Sequence, residues 1–118
     1  MPDQLTCPMD DVLGSVTGRW TTYILWLLDK EGPLRFGELM GLMPRISAKV
    51  LTDRLRLLER QGIVIRTQKP TIPPEVSYAL SPQGAQLRTA LLALHDVALN
   101  WRDQGWTPEA GFPKNTSA

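Results

Sequence analysis

Apolar positions recur at helical spacing in several separate stretches of the chain, and proline, glycine and hydroxyl residues mark where each stretch begins and ends. Pro8 suits a first helical position and opens a short helix that runs towards Gly14 or Val16. A second helix covers about Arg19 to Lys30. Tyr23, Ile24, Leu27 and Leu28 make its apolar face, Trp20 and Trp26 flank it, and Gly32-Pro33 supplies the stop. Phe36, Leu39, Met40 and Met43 fall on one stripe of a third helix, from about Phe36 to Leu42, before Pro44 ends it. Ser47 caps the next helix, which runs through Arg60 or Gln61 to a left-handed terminator at Gly62. With Leu51 at the centre of its buried face, Leu55 and Leu58 lie beside it, and Lys49, Asp53, Arg56 and Arg60 are thrown to the opposite side.

After Gly62 the period changes. Ile63 to Lys69 and Glu75 to Leu80 are β-branched runs around a proline-bearing turn and read as an antiparallel hairpin. Ser81 then caps a long helix with Pro82 at its first position, continuing to about Asp103, a length of about 33 Å at 1.5 Å per residue. Leu87, Leu91, Leu94, Ala98 and Trp101 form one stripe of this helix, Leu92 and Leu99 lie on a second side, and Ala90, Ala93 and Val97 on a third. A helix apolar on several sides needs more partners than so short a chain provides, which predicts contact with another chain, a dimer in the simplest case. Leu91, Leu94, Ala98 and Trp101 are the expected contact residues.

The length, 118 residues, provides for one domain and one core. That core is expected over about residues 7–104. Residues 105–118, rich in Pro, Gly and small polar side chains from Thr107 onward, are expected to form a loosely ordered tail. Apolar residues at 42% and charged residues at 21% are ordinary globular usage. One cysteine and one histidine exclude an internal disulfide framework and a zinc centre built by this chain, and no cofactor is called for. No window approaches the roughly 18 apolar residues of a membrane span, and Met1 to Cys7 lacks the features of a signal peptide, so the expected location is cytoplasmic with no membrane partner.

The net charge of +1 hides an uneven distribution. From Arg35 to Lys69 there are eight basic residues against three acids, +5 locally and −4 elsewhere. Helix, tight turn, helix and hairpin in that order make the winged helix-turn-helix plan, a mostly α fold with a small β-hairpin, in which the second helix of the pair enters the DNA major groove. Lys49, Arg56 and Arg60 suit phosphates or base edges, and Asp53 shares their face. Ser47 and Thr52 can add hydrogen bonds near the helix start, and Arg66, Gln68 and Lys69 on the hairpin can reach the adjoining minor groove. The plainer reading is a solvated basic face, with Glu59 pairing Arg56 or Arg60. A winged helix module that binds an acidic protein partner is the other alternative, and retention on heparin and DNA columns discriminates the two. An enzyme has no support: there is no glycine-rich phosphate loop, no nucleophile-histidine arrangement and no paired carboxylates.

The stretches "CPMDDVLGSVTGRWTTYILWLL", "LRFGEL", "RISAKVLTDRLRLLERQGIVIR" and "IPPEVSYALSPQG" resemble the HxlR-type transcriptional regulators, a bacterial branch of winged helix proteins near the MarR family. The likeness runs from about Cys7 to Trp101. It implies a homodimer on an inverted-repeat operator of double-stranded DNA, with the first and last helices as dimerisation helices; repression is the expected mode of action, and the sequence leaves activation open. "TGRW" stands where the family often shows Gly-Gly-Lys-Trp, and Ser77 stands where Glu usually precedes the wing tyrosine. Neither departure touches the expected DNA face.

The same resemblance singles out Cys7, since some members keep a cysteine there that senses oxidants or electrophiles. Its place before Pro8, at a helix start, favours a thiolate, whereas Asp10 and Asp11 in the next turn oppose one. Sensing and inert packing both stand as readings of Cys7. His95, alone on the last helix, is given no role. Trp20, Trp26, Trp101 and Trp106 are either core or dimer-contact residues or the lining of a pocket for a flat organic effector.

Overall fold

The computed structural model describes residues 7–114; residues 115–118, the end of the expected tail, and residues 1–6 lie outside the described part. The chain divides into two compact units, one ending at Gln86 and one beginning at Leu87.

The first unit contains α1 (Pro8–Val16), α2 (Thr21–Glu31), β1 (Leu34–Arg35), α3 (Phe36–Leu42), α4 (Ala48–Arg60), β2 (Val64–Lys69), β3 (Glu75–Leu80) and α5 (Pro82–Ala85). Helices α1, α3 and α4 and the hairpin occupy the places that the apolar periodicity predicts. Their ends follow from individual residues. Glu38 Oε1 accepts a hydrogen bond from the Arg35 backbone N–H at 2.8 Å and satisfies an orphan donor at the start of α3. Ser47 Oγ accepts from the Val50 N–H at 3.1 Å and caps α4. At the other end of α4, Gly62 takes φ +76°, its N–H reaches the Glu59 carbonyl, and the Ile63 N–H reaches that of Leu58, both at 3.0 Å. This is the paired closure of a Schellman end, which needs the left-handed conformation that glycine adopts at no steric cost.

Ile24, Leu25, Leu39, Met43, Leu51, Leu55, Leu58 and Val64 are all but fully buried and form the core of this unit. Each contributes about 1.5–3 kcal/mol by leaving water. Thr21 and Ser81 are the buried polar residues of the described part, and no buried side-chain N or O atom there lacks a hydrogen-bond partner.

The hairpin is part of a larger sheet than its sequence suggests. Its three antiparallel strands lie in the order β1-β3-β2, with Leu34 opposite Tyr78 and Arg35 opposite Ser77. Strand β1 is two residues long, too short to show any alternation in the sequence.

The single long helix expected from Pro82 to Asp103 is instead two. Helix α5 ends at Ala85, and α6 (Arg88–Asp103) opens the second unit. Between them Gln86 and Leu87 have ψ of −16° and −11°, and the Gln86 N–H turns back to the Gln83 carbonyl, the tighter i,i+3 pattern. Gly84, a poor helix former, sits just before the break. The 16 residues of α6 span about 24 Å.

In the second unit the expected loose tail gives way, over residues 107–114, to a loop tied to the helix end. The Gly105 N–H donates to the Arg102 carbonyl and the Trp106 N–H to that of Trp101, both at 2.9 Å. Trp101 and Trp106 then meet with ring centroids 5.2 Å apart, the apolar contact that accompanies such a helix end. Phe112 comes edge-on to Trp101 at 5.3 Å, and Thr107 and Gly111 exchange both backbone hydrogen bonds.

Candidate nucleic-acid interface

Helices α3 and α4 are joined by a turn in which Met43 and Ile46 are both buried, with the Ile46 N–H on the Met43 carbonyl at 3.1 Å. Apolar anchors at both ends of the turn fix the angle at which α4 leaves it. Leu51, Leu55 and Leu58 hold α4 against the core, so its opposite side faces out. Lys49, Asp53, Arg56 and Arg60 are all exposed on that side, and Thr52 is half-buried at its edge. The structure therefore brings together the helix residues that the sequence nominates.

Two of them are paired with each other. Lys49 Nζ lies 3.0 Å from Asp53 Oδ2, one helical turn away, in an open ion pair with 85% and 49% of the two side chains exposed. Arg56 and Arg60 form no ion pair among the described residues, and Glu59, the competing partner offered by the sequence, takes neither. Two guanidinium groups are thus left for an outside anion. Ser47 has its hydroxyl oxygen engaged as a cap, which leaves its proton as the group available to a phosphate. Arg45, exposed in the turn before α4, adds a cation beside this face. The local charge count includes it, but no helical spacing marks it as part of the face.

The hairpin residues are distributed over both sides of the sheet. Arg66 lies opposite Tyr78 and Gln68 opposite Val76, on the side shared with buried Val64. Lys69 lies opposite Glu75, on the other side, with Thr67 and Arg35. All three candidate wing residues are exposed. Beyond them the turn is closed by a hydrogen bond from Thr71 Oγ1 to the Pro73 carbonyl at 2.8 Å, with Ile72 fully exposed at the tip.

Cys7 is exposed at the N-cap of α1, and its carbonyl accepts the Asp11 N–H at 3.1 Å. Helix α1 buries none of its residues, and Met9, Val12 and Leu13 share an exposed apolar face. On α6, Leu94, Ala98 and Trp101 are exposed, whereas Leu91 is only 8% exposed and has little surface to offer a second chain. Of the tryptophans proposed as a pocket lining, Trp20 and Trp26 are half-buried in the first unit; Trp106, in the second, borders a groove of about 460 Å³ with His95, Leu99 and Arg102.

Residues 15–105 match the family model for the HxlR-like helix-turn-helix. The chain belongs to the HxlR family. This HxlR-type transcriptional regulator is 38% identical over 98 residues to sll1512, an HTH-type transcriptional regulator of Synechocystis sp., across 83% of this chain and 72% of that protein. It is 38% identical over 103 residues to the HTH-type transcriptional regulator YodB of Bacillus subtilis, across 86% and 88% of the two chains. Among solved structures, the redox regulator HypR in its reduced form matches with a TM-score of 0.77 at 31% identity, over 82% of this chain and 95% of that one. The winged helix-turn-helix architecture and the DNA-binding class follow from the family. No described helix is long and apolar enough to cross a membrane.

Proposed function

We propose that this HxlR-type regulator is a homodimeric repressor that binds an inverted-repeat operator, and that reaction of Cys7 with an oxidant or electrophile releases it. The observation that carries the DNA reading is the division of α4: three leucines are buried on one side, and exposed Lys49, Asp53, Arg56 and Arg60 lie on the other, with both guanidinium groups unpaired among the described residues. In the complex, α4 of each copy lies in the major groove, about one helical turn of DNA from its mate, and Arg66, Gln68 and Lys69 approach the adjoining minor groove. Exposed apolar faces on α1, at Met9, Val12 and Leu13, and on α6, at Leu94 and Trp101, supply the dimer contact.

The redox reading draws on relatives. HypR is a redox regulator solved in reduced and oxidised forms, and YodB has been solved reduced and after diamide treatment. Because each chain has one cysteine, a disulfide at Cys7 joins it to Cys7 of a second copy or to a small thiol. Two thiols then lose two hydrogens to the N=N bond of diamide as the S–S bond forms; a quinone instead adds to the sulfur directly.

The deciding experiment is selection of bound fragments from the source genome with the purified protein, followed by mobility shifts across a salt series. Enrichment of a palindrome, bound with a steep salt dependence, is the expected result. A protein that enriches no fragment at low salt and migrates as a monomer is not an operator-binding dimer.

A further inference from the structure

Glu75 stands directly opposite Lys69 at the last register position of the β2-β3 ladder, yet its carboxylate turns to the other neighbouring strand. Glu75 Oε2 lies 3.1 Å from Arg35 Nη2. Arg35 is opposite Ser77, two residues along β3 from Glu75, so Arg35, Glu75 and Lys69 share one side of the sheet and the acid has a cation on each flank. Lys69 itself makes no ion pair among the described residues. Arg35 is further fixed by its backbone, whose N–H is bound by Glu38 Oε1 at 2.8 Å where β1 passes into α3.

The Arg35 and Glu75 side chains are 59% and 39% exposed, so their ion pair contributes little to stability. Its consequence lies in which cation is left over. Opposite charges facing each other across an antiparallel pair attract, and without Arg35 the nearest cation to Glu75 in register is Lys69. We infer that Arg35 is a positioning residue for DNA binding: by holding the Glu75 carboxylate on the β1 side, it keeps the Lys69 ammonium free for a phosphate. This rests on the reading above that the wing approaches DNA. It adds a role for a residue outside the recognition helix and the wing, and it makes Glu75 an inhibitory group held in check.

The test is a mutant cycle read by binding to a short mixed-sequence duplex over a salt series, since phosphate contacts need no operator. Each lost phosphate contact lowers the magnitude of the slope of log K against log salt by about 0.9. Lys69→Ala is expected to lower it by that amount and to weaken binding on the order of threefold at low salt. Arg35→Ala is expected to do the same, Glu75→Gln alone to cause no loss, and the Arg35→Ala/Glu75→Gln double variant to recover the wild-type slope. A urea midpoint for Arg35→Ala separates loss of the fold from loss of the contact. If Lys69→Ala weakens binding while Glu75→Gln fails to rescue Arg35→Ala, the inference is overturned and the wing reading survives. A loss from Arg35→Ala that persists undiminished in the Glu75→Gln background overturns the inference in the same way, because Arg35 would then meet DNA itself. If Lys69→Ala changes neither affinity nor slope, the wing contact is wrong and the role of Arg35 falls with it.

Discussion

Gly84 packs directly on the carbonyl of Ile63: a Cβ placed on Gly84 would sit 2.2 Å from the Ile63 oxygen and 3.2 Å from its carbon. The same carbonyl accepts the Ser81 N–H at 2.9 Å, while Ser81 Oγ donates to the Gly62 carbonyl at 2.6 Å and accepts from the Gly84 N–H at 2.9 Å. The start of α5 is thereby closed onto the residues that end α4 and lead into β2. Gly84→Ala forces a methyl group against the Ile63 backbone, which has no flexible end to give way. A loss of about 1–3 kcal/mol is expected, seen as a lower urea midpoint at unchanged m-value. An unchanged midpoint would show that this corner yields without cost.

Arg56 forms no ion pair among the described residues and lies on the outward face of α4, near the middle of its length. Arg56→Ala is expected to weaken operator binding by about 1–3 kcal/mol if the side chain reads a base edge, and to weaken all sequences equally if it meets only phosphate. Mobility shifts on operator and mixed-sequence duplexes, run side by side over a salt series, distinguish the two cases. Unchanged affinity for both would remove Arg56 from the interface.

Asp53 is an acid on a face presented to a polyanion, and at 3.0 Å it engages Lys49. Such a carboxylate repels phosphates but can accept from the amino group of cytosine, so it restrains general affinity while serving discrimination. Asp53→Asn releases Lys49 and is expected to tighten binding to mixed-sequence DNA, steepening the salt slope by about 0.9, and to narrow the gap between operator and mixed sequence. If neither general affinity nor slope changes, the Lys49–Asp53 pair plays no part in the contact.

The helix ends and the outward face of α4 are legible in the sequence because single residues set them. Pro8, Ser47 and Gly62 each impose a dihedral angle or a hydrogen bond, and three leucines at i, i+4 and i+7 orient everything on the other side. Strand β1 is illegible because two residues carry no period, and the Arg35–Glu75 contact, which depends on β1, is hidden with it. The break at Gln86 and Leu87 is invisible for a different reason. Gln86 and Leu87 are good helix formers whose φ and ψ stay close to helical values, so neither residue type marks the interruption. In the tail, proline and glycine content suggests loose chain, but Trp106 five residues after Trp101, next to Gly105, is also the pattern of a closed helix end.

Leu94 is the most exposed large apolar residue of α6, at 58%. Replacing it with Glu removes no core contact, so the urea midpoint at low protein concentration should hardly move. The charge would have to be buried in any interface built on this face, at a cost of several kcal/mol. Leu94→Glu is therefore expected to shift sedimentation from dimer towards monomer and to weaken operator binding in parallel. A dimer that persists at the same concentrations would place the interface elsewhere.

The exposure of the Cys7 side chain, at the start of a helix that buries none of its own residues, lets an oxidant reach the sulfur without unfolding anything. On the proposed function, a bond formed there acts on α1, whose uncovered face belongs to the proposed dimer contact, and would couple the chemistry to the spacing of the two α4 helices instead of to the DNA face itself. Diamide is expected to release the wild-type protein from its operator, with dithiothreitol restoring binding, while Cys7→Ser stays bound throughout. Mass spectrometry of the treated protein separates the products: a doubled mass that reducing agent halves marks the bond between copies, and the added mass of a small thiol supplied with the oxidant marks the mixed disulfide. Equal release of wild type and Cys7→Ser would take Cys7 out of the response and leave any sensing to a bound effector.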